Sequence, residues 1–327
     1  MNLQVARIAA IAVLQLASSA AVLAKDGDPG PILLKAVNAT QRLNYSGVFV
    51  YRHGSVSESS RIAHFVDGGK EFEHLEVLDG SPREVIREGD EVKCYMPESR
   101  TVFIEKRSER RTFPAILPAS LTSLSEFYDI SKGTPARVAG LETQAIVLEP
   151  RDEYRYAHQF WIDNASGLLV KATLSDDRHE VLESFAFTEL KIGGPNDYER
   201  MKVRLAPNED WKVHHVSARE SARADEGNWI FKNSLPGFRR SAGMRRQVRL
   251  NTPESLHFMF SDGLAAVSVF IEPLASPTTK ADGNVVNMGA INAYRRIIGD
   301  YQILVMGEVP PAAVKRLGDG IELRRKQ

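Results

Sequence analysis

The sequence predicts a mainly β, α+β protein, in which a large antiparallel sheet, strongly curved and open or nearly closed around helices, precedes a smaller α+β domain. Three observations carry this expectation. Short runs of alternating apolar and polar residues succeed one another, each bounded by a turn signal. Helical spacing surfaces at only a few places. A turn-rich, charged run, "IGGPNDYERMKVRLAPNED" at 192–210, separates two such patterns, and 327 residues are long for one core.

The first 24 residues read as a cleaved signal peptide. Arg7 is the only charge before Lys25, an apolar stretch follows it, and Val22-Leu23-Ala24 places small residues where a signal peptidase cuts. The apolar stretch is shorter than the ~20 residues that span a bilayer. No Cys stands at the cleavage point, which disfavours a lipid-anchored protein.

In "PILLKAVNATQRL", Ile32, Leu33, Ala36, Val37 and Leu43 recur at helical spacing, with Pro31 where a first-turn proline is tolerated. The period then changes to two. "YSGVFVYRHG", "SSRIAHFVDGG", "EFEHLEVLDG", "REVIREGD", "EVKCYMPESR" and "TVFIEKR" form an antiparallel meander broken at Asp67-Gly68-Gly69, Asp79-Gly80, Gly89-Asp90 and Pro97-Glu98. Residues 112–132 lose the alternation and read as a loop plus a short helix, apolar enough to pack. Strands resume with "TPARVAG", "ETQAIVLEPRD", "RYAHQFWID", "GLLVKATLSDD" and "VLESFAFTELK", for ten or eleven in all. Beyond the linker, "VHHVSA", "RRQVRL", "LHFMFSDG", "LAAVSVFIEPL" and the run from "NVVNMG" to "LVMGEV" give further strands. "PPAAVKRLGDGIEL" gives a last short helix.

Composition and motifs exclude several function classes. Forty-two basic residues balance 42 acidic ones, so no global field draws in nucleic acid. Cys94 is the only cysteine and cannot form an internal disulfide; it reads as a buried bystander. There is no nucleophile elbow, metalloprotease helix, phosphate loop or dinucleotide fingerprint. His214 and His215 are adjacent on a strand and point to opposite faces, so no metal pair is expected. The densest polar run, "PRDEYRYAHQFW" at 150–161, fails as an active site by the same alternation, because His158 shares its face with Phe160 and Ile162 while Asp152 and Glu153 fall in the turn. The expectation is a binding protein, not an enzyme, with no cofactor and no metal. Basic clusters at 105–111, 237–249, 295–296 and 324–326 suit phosphates or carboxylates of a lipid headgroup or an acidic peptide, or are solvated strand faces.

The segment from Phe127 to Gly193, then "LPGF" at 235–238, "DGLAAVSVFIEPL" at 262–274, "GEVP" at 307–310 and the earlier "YSGVFVYRHG" at 45–54, resembles the RseB/MucB family of periplasmic negative regulators of envelope-stress sigma factors. The order is preserved over nearly the whole mature chain. The resemblance implies a LolA-like lipid-sensing domain at 25–195, an unclosed barrel of about eleven strands, then a linker at 196–212 and an anti-sigma-binding domain at 213–327. It implies a periplasmic protein that binds the periplasmic part of an RseA/MucA-type anti-sigma factor, protects it from regulated proteolysis and is released by lipopolysaccharide or another lipid. A homo-oligomer is compatible with it. The lipid contacts expected on this basis are Arg107, Arg110 and Arg111 at the rim, with Phe49, Leu117 and Leu121 in the apolar concavity. The partner contacts expected are Leu235, Pro236, Gly237, Phe238, Asp262, Gly263, Leu264 and Phe270. The alternatives are a periplasmic lipid or lipoprotein carrier, for which a second domain is superfluous, and an exported hydrolase with two distant carboxylates.

Overall fold

The computed structural model describes residues 27–106, 117, 124–202, 210–216, 219–220, 228–241, 243–246, 255–274 and 283–324. The expected signal peptide and Arg107, Arg110, Arg111 and Leu121 lie outside them. Among the described residues no helix is long and apolar enough to cross a membrane.

Helix α1 (Gly30–Arg42) buries Leu33, Ala36 and Val37 and turns Leu34 to solvent, as its spacing requires. Strands β1 (Tyr45–His53), β2 (Val56–Asp67), β3 (Lys70–Val77), β4 (Glu84–Glu88), β5 (Glu91–Met96) and β6 (Thr101–Lys106) follow as the expected meander. After helix α2 (Leu124–Phe127) come β7 (Tyr128–Lys132), β8 (Ala136–Val138), β9 (Leu141–Pro150), β10 (Ala157–Asp163), β11 (Leu169–Ser175) and β12 (Val181–Ile192). The end of the 112–132 segment, expected as loop and helix, is thus partly strand: Tyr128 is fully buried and the run pairs antiparallel with β9.

β12 returns to pair with β1, so the sheet runs β6-β5-β4-β3-β2-β1-β12-β11-β10-β9-β7, with β8 also on β9. The register shifts at Val48/Phe49, Trp161/Ile162 and Leu174/Ser175, and such irregularities of bulge type bend a strand and increase its twist. Among the described residues the terminal strands do not pair with each other, and the barrel is unclosed. α1 lies on the inner side, where Leu33, Ala36 and Val37 meet Tyr45, Phe49, Ile62, Ile146, Phe160, Leu169, Phe185 and Phe187 in one core. Each large apolar side chain so buried contributes about 1.5–3 kcal/mol.

The chain leaves β12 as a strap over the sheet. The Gly193 amide donates to the Asn44 carbonyl (2.7 Å), and the Tyr198 ring sits edge-on to Phe65 and Phe72, 4.9 and 5.6 Å between centroids. The strap ends in β13 (Lys212–Val216), which pairs in parallel with β6. Residues 213–216 are expected at the start of the second domain; their hydrogen bonds extend the first sheet to 13 strands among the described residues. A short apolar run carries no signal for which of two sheets completes its bonding.

The second sheet contains β14 (Arg219–Glu220), β16 (Arg239–Arg240), β17 (Met244–Arg246), β18 (Ser255–Ser261), β19 (Ala266–Pro273), β20 (Val285–Met288), β21 (Ile291–Ile298) and β22 (Tyr301–Gly307). Its order is β14-β17-β18-β19-β22-β21-β20, with β16 on β18. β15 (Trp229–Phe231) pairs with β23 (Ile321–Leu323), and α3 (Pro311–Asp319) covers one face of the sheet. Val267, Val269, Ile271, Ile303 and Val305 there meet Val314 and Leu317. The tail "GIEL", expected to continue the helix, leaves it at Gly320, where any Cβ would lie 2.5 Å from the Asn233 amide nitrogen.

Candidate functional site

The "PRDEYRY" run resolves as the junction between the two domains. Arg155 lies just before β10 with its side chain wholly excluded from solvent. Its Nε donates to Asp262 Oδ2 at 2.6 Å, Nη1 to Asp152 and Nη2 to the Pro236 carbonyl. The guanidinium plane lies between the rings of Phe127 and Phe238, 4.5 and 4.7 Å from their centroids. Only a planar cation with several fixed donors can stack on two rings and bridge three acceptors at once. Asp262 is held in turn by the amides of Leu264 and Ala265, both at 2.8 Å. Gly237 has φ +75°, and a Cβ there would meet Phe127 at 2.2 Å. Beside this lock, Asn292 Nδ2 donates to the Tyr156 hydroxyl (2.9 Å), and the Arg316 guanidinium lies 5.3 Å from the Tyr154 ring centre.

This placement changes the role of most of the expected partner contacts. Leu235, Phe238 and Asp262 are buried, Pro236 offers its carbonyl to Arg155, and Leu264 packs against the first domain's core. With Gly237 and Gly263 between them, these residues hold the domains together, while Pro236 and Gly237 remain exposed at the edge of the junction. Phe270 lies apart, on the other face of the second sheet, where its ring stacks on His257 at 4.3 Å. Of the expected lipid contacts, Phe49 and Leu117 are in the closed core beneath α1 and do not line an open concavity. Helix α1 fills that side with its own apolar face.

The titratable residues of "PRDEYRYAHQF" do not assemble a reaction centre. His158 packs between Tyr128 and Phe160, and burial pushes its pKa down to about 4, so it is neutral at ordinary pH. Burial likewise raises the Tyr128 phenol well above its usual range. His214 stacks on Phe103 at 5.4 Å. Among the described residues no three His, Cys, Asp or Glu side chains converge as a metal site.

The face of the second sheet opposite α3 is a candidate docking surface. The register aligns His257, Phe270, Leu304 and Arg295 in one row and Met259, Ser268, Met306, Ala293 and Val286 in the next. Phe270, Leu304, Met306 and Met259 are half-buried, Val286 and Met288 are exposed, and none joins a core cluster of the described residues. Among the described residues Arg295 Nε is buried without a hydrogen-bond partner in this row. The alternation of "LAAVSVFIEPL" held the signal, since Ser268 and Phe270 fall on the face that Val267, Val269 and Ile271 leave.

Sequence reading also missed a row of buried ionisable groups on β2, β3 and β4. His64, Glu73 and Arg87 are cross-strand neighbours and all are buried. Burial pushes the Glu73 carboxyl up to about 7, against the opposing pull of Arg87 and His64. Such residues look like solvated strand positions in sequence, and only the cover above them makes them interior.

Comparison with known proteins follows the same division of the chain. The model for the MucB/RseB N-terminal domain matches residues 28–207 and that for the MucB/RseB C-terminal domain matches 223–322. The sigma-E factor regulatory protein RseB of Haemophilus influenzae is 26% identical over 294 residues, covering 89% of this chain and 90% of the relative. The RseB of Salmonella typhimurium is 27% identical, covering 92% and 93%. The sigma factor AlgU regulatory protein MucB of Pseudomonas aeruginosa is 26% identical, covering 89% of each. Crystallographic MucB in complex with MucA(peri) superposes with a TM-score of 0.72 at 24% identity over 91% of this chain and 100% of the other. MucB crystallised alone gives 0.63 at 23% identity over 92% and 99%.

Proposed function

Because this chain belongs to the MucB/RseB family, we propose that it is a periplasmic negative regulator of an envelope-stress sigma factor. In this reading it binds the periplasmic part of an RseA/MucA-type anti-sigma factor, shields it from the protease that starts its degradation, and lets go when lipopolysaccharide or a related lipid binds. The observation that carries the reading is the match of both family domains, in order, over nearly the whole mature chain. The open face of the second sheet supports it: an apolar strip of Phe270, Leu304 and Met306, with the Arg295 side chain in the same row, suits an extended or helical segment with apolar groups.

Leu235–Phe238 and Asp262–Leu264 would then act by fixing the domain arrangement that the partner meets. Acyl chains would reach Phe49 and Leu117 by exchanging with the apolar face of α1, with Arg107, Arg110 and Arg111 proposed as phosphate contacts. A ligand can displace the partner only through unequal affinity for the free and bound forms. The test is titration of residues 25–327 with the anti-sigma periplasmic fragment of the same organism, with and without lipopolysaccharide. Tight binding weakened by lipid supports the regulator. Lipid binding without partner binding replaces it with a carrier.

A further inference from the structure

On the inner face of the first sheet, Arg87 of β4 is 4% exposed, and among the described residues its Nε and Nη2 are buried without a hydrogen-bond partner. These two nitrogens share one edge of the planar guanidinium, the edge whose parallel N–H groups receive a carboxylate or a phosphate as a fork. Glu73 stands opposite on β3 and Val92 opposite on β5, and the Glu73 carboxyl reaches neither nitrogen. Burial pushes that carboxyl up to about 7, so below neutral pH it leaves the arginine charge unbalanced. Glu71 is turned to His64, 3.2 Å from Nε2. A guanidinium buried without a partner is costly, and an oxyanion on its free edge removes the cost.

The neighbouring row on the same face is apolar. Leu75, Val85, Cys94 and Phe103 are successive cross-strand partners on β3 to β6, and His214 of β13 follows. Leu75 packs on the first core, Val85 and Cys94 are half-buried, and Phe103 is 38% exposed with the His214 ring stacked on it. Val85 and Phe103 join no core cluster of the described residues. With strands about 4.8 Å apart, the row runs roughly 14 Å from Leu75 to Phe103, passing beside Arg87 on its way to the sheet edge.

We propose that Arg87 anchors the acidic head, a carboxylate or a phosphate, of a single-chain amphiphile whose hydrocarbon chain lies along Val85, Cys94 and Phe103. The head takes the fork of Nε and Nη2, and the chain covers apolar surface that the fold itself leaves half-open. A head without a chain gains the fork alone. A chain without a charge leaves the guanidinium unpaired. The site is separate from Phe49 and Leu117, which α1 closes over, and it goes beyond the regulator reading because it needs no protein partner.

Calorimetric titration of residues 25–327 with laurate or dodecyl phosphate, each below its micelle concentration, tests the site with no anti-sigma fragment present, so its outcome is distinct from that of the regulator test. Saturable binding is expected, about tenfold or more weaker for the uncharged 1-dodecanol and for Arg87→Met. Arg87→Lys, which keeps the charge but loses the fork, and Phe103→Ser, at the exposed end of the row, should each weaken binding as well, and they decide the matter should Arg87→Met fail to fold. Acetate or inorganic phosphate binding as tightly as the long-chain anions would overturn the amphiphile and leave a bare ion site. Wild type that binds neither long-chain anion, or variants that bind them as wild type does, would overturn the proposal altogether.

Discussion

Arg155 Nε donates to the Asp262 carboxylate at 2.6 Å, joining residues 107 positions apart that belong to different domains. Both side chains are at most 2% exposed, so water cannot take the place of either partner. Segments that read separately in the sequence, "FYD", "PRDEYRY", "LPGF" and "DGLA", converge on this one guanidinium.

Removing one partner of a buried, hydrogen-bonded ion pair leaves the other charge stranded. Arg155→Ala is therefore expected to cost about 3–5 kcal/mol. Calorimetry should show the effect as a single melting transition dividing into two, one for each domain. Asp262→Ala should do the same, and the double substitution should cost much less than the sum.

Gly237 packs against Phe127 in a left-handed backbone conformation. Gly237→Ala adds a methyl group where no space exists and strains the backbone, for an expected loss of about 1–3 kcal/mol in urea denaturation. Gly68→Ala, also at positive φ but with nothing within 4 Å, is the milder control.

Glu73 has a folded pKa of about 7, above its unfolded value near 4.5, so the folded state keeps a proton that the unfolded state has released. Stability then falls as pH rises from about 4.5 to 7. Glu73→Gln should leave stability at pH 4 unchanged and raise it at pH 8, by an amount on the order of 3 kcal/mol at most. Denaturant titrations at the two pH values measure this.

His158 has the opposite sign. Its folded pKa of about 4 lies below the ordinary 6.5, so its contribution is complete above 6.5 and is lost as pH falls towards 4. His158→Phe, which keeps the stack with Phe160, should flatten that acid limb of the stability profile.

The open face of the second sheet makes a prediction about binding alone. Leu304→Asp or Met306→Asp should weaken the anti-sigma fragment at least tenfold by calorimetric titration, with the melting temperature within a few degrees of wild type. Unchanged affinity in both variants would move the partner site elsewhere.

Local pattern determined much of this protein. The period of two in "YSGVFVYRHG" and its successors specifies strands, the spacing of Leu33, Ala36 and Val37 specifies the helix that packs on them, and Gly and Asp pairs place the turns, because each depends on residues a few positions apart. That the titratable residues of "PRDEYRYAHQF" do not share one strand face was legible for the same reason, since alternation alone separates His158 from the acids. Burial and pairing between distant segments were not legible. Nothing near Arg155 in sequence announces Asp262, Pro236 and Phe238, nothing near Phe49 announces that α1 closes over it, and "VHHV" has no mark assigning it to β6. Charged residues such as Glu73, His74 and Arg87 occupy positions any solvated strand could offer, and only the elements folded over them turn them into interior groups with shifted protons or fixed partners. Short-range pattern thus specifies the elements, and the spaced motifs carry the family. The tertiary structure decided which signature residues lock the domains and which face remains open, because solvent exclusion and long-range contacts exist only once the sheets have closed on their helices.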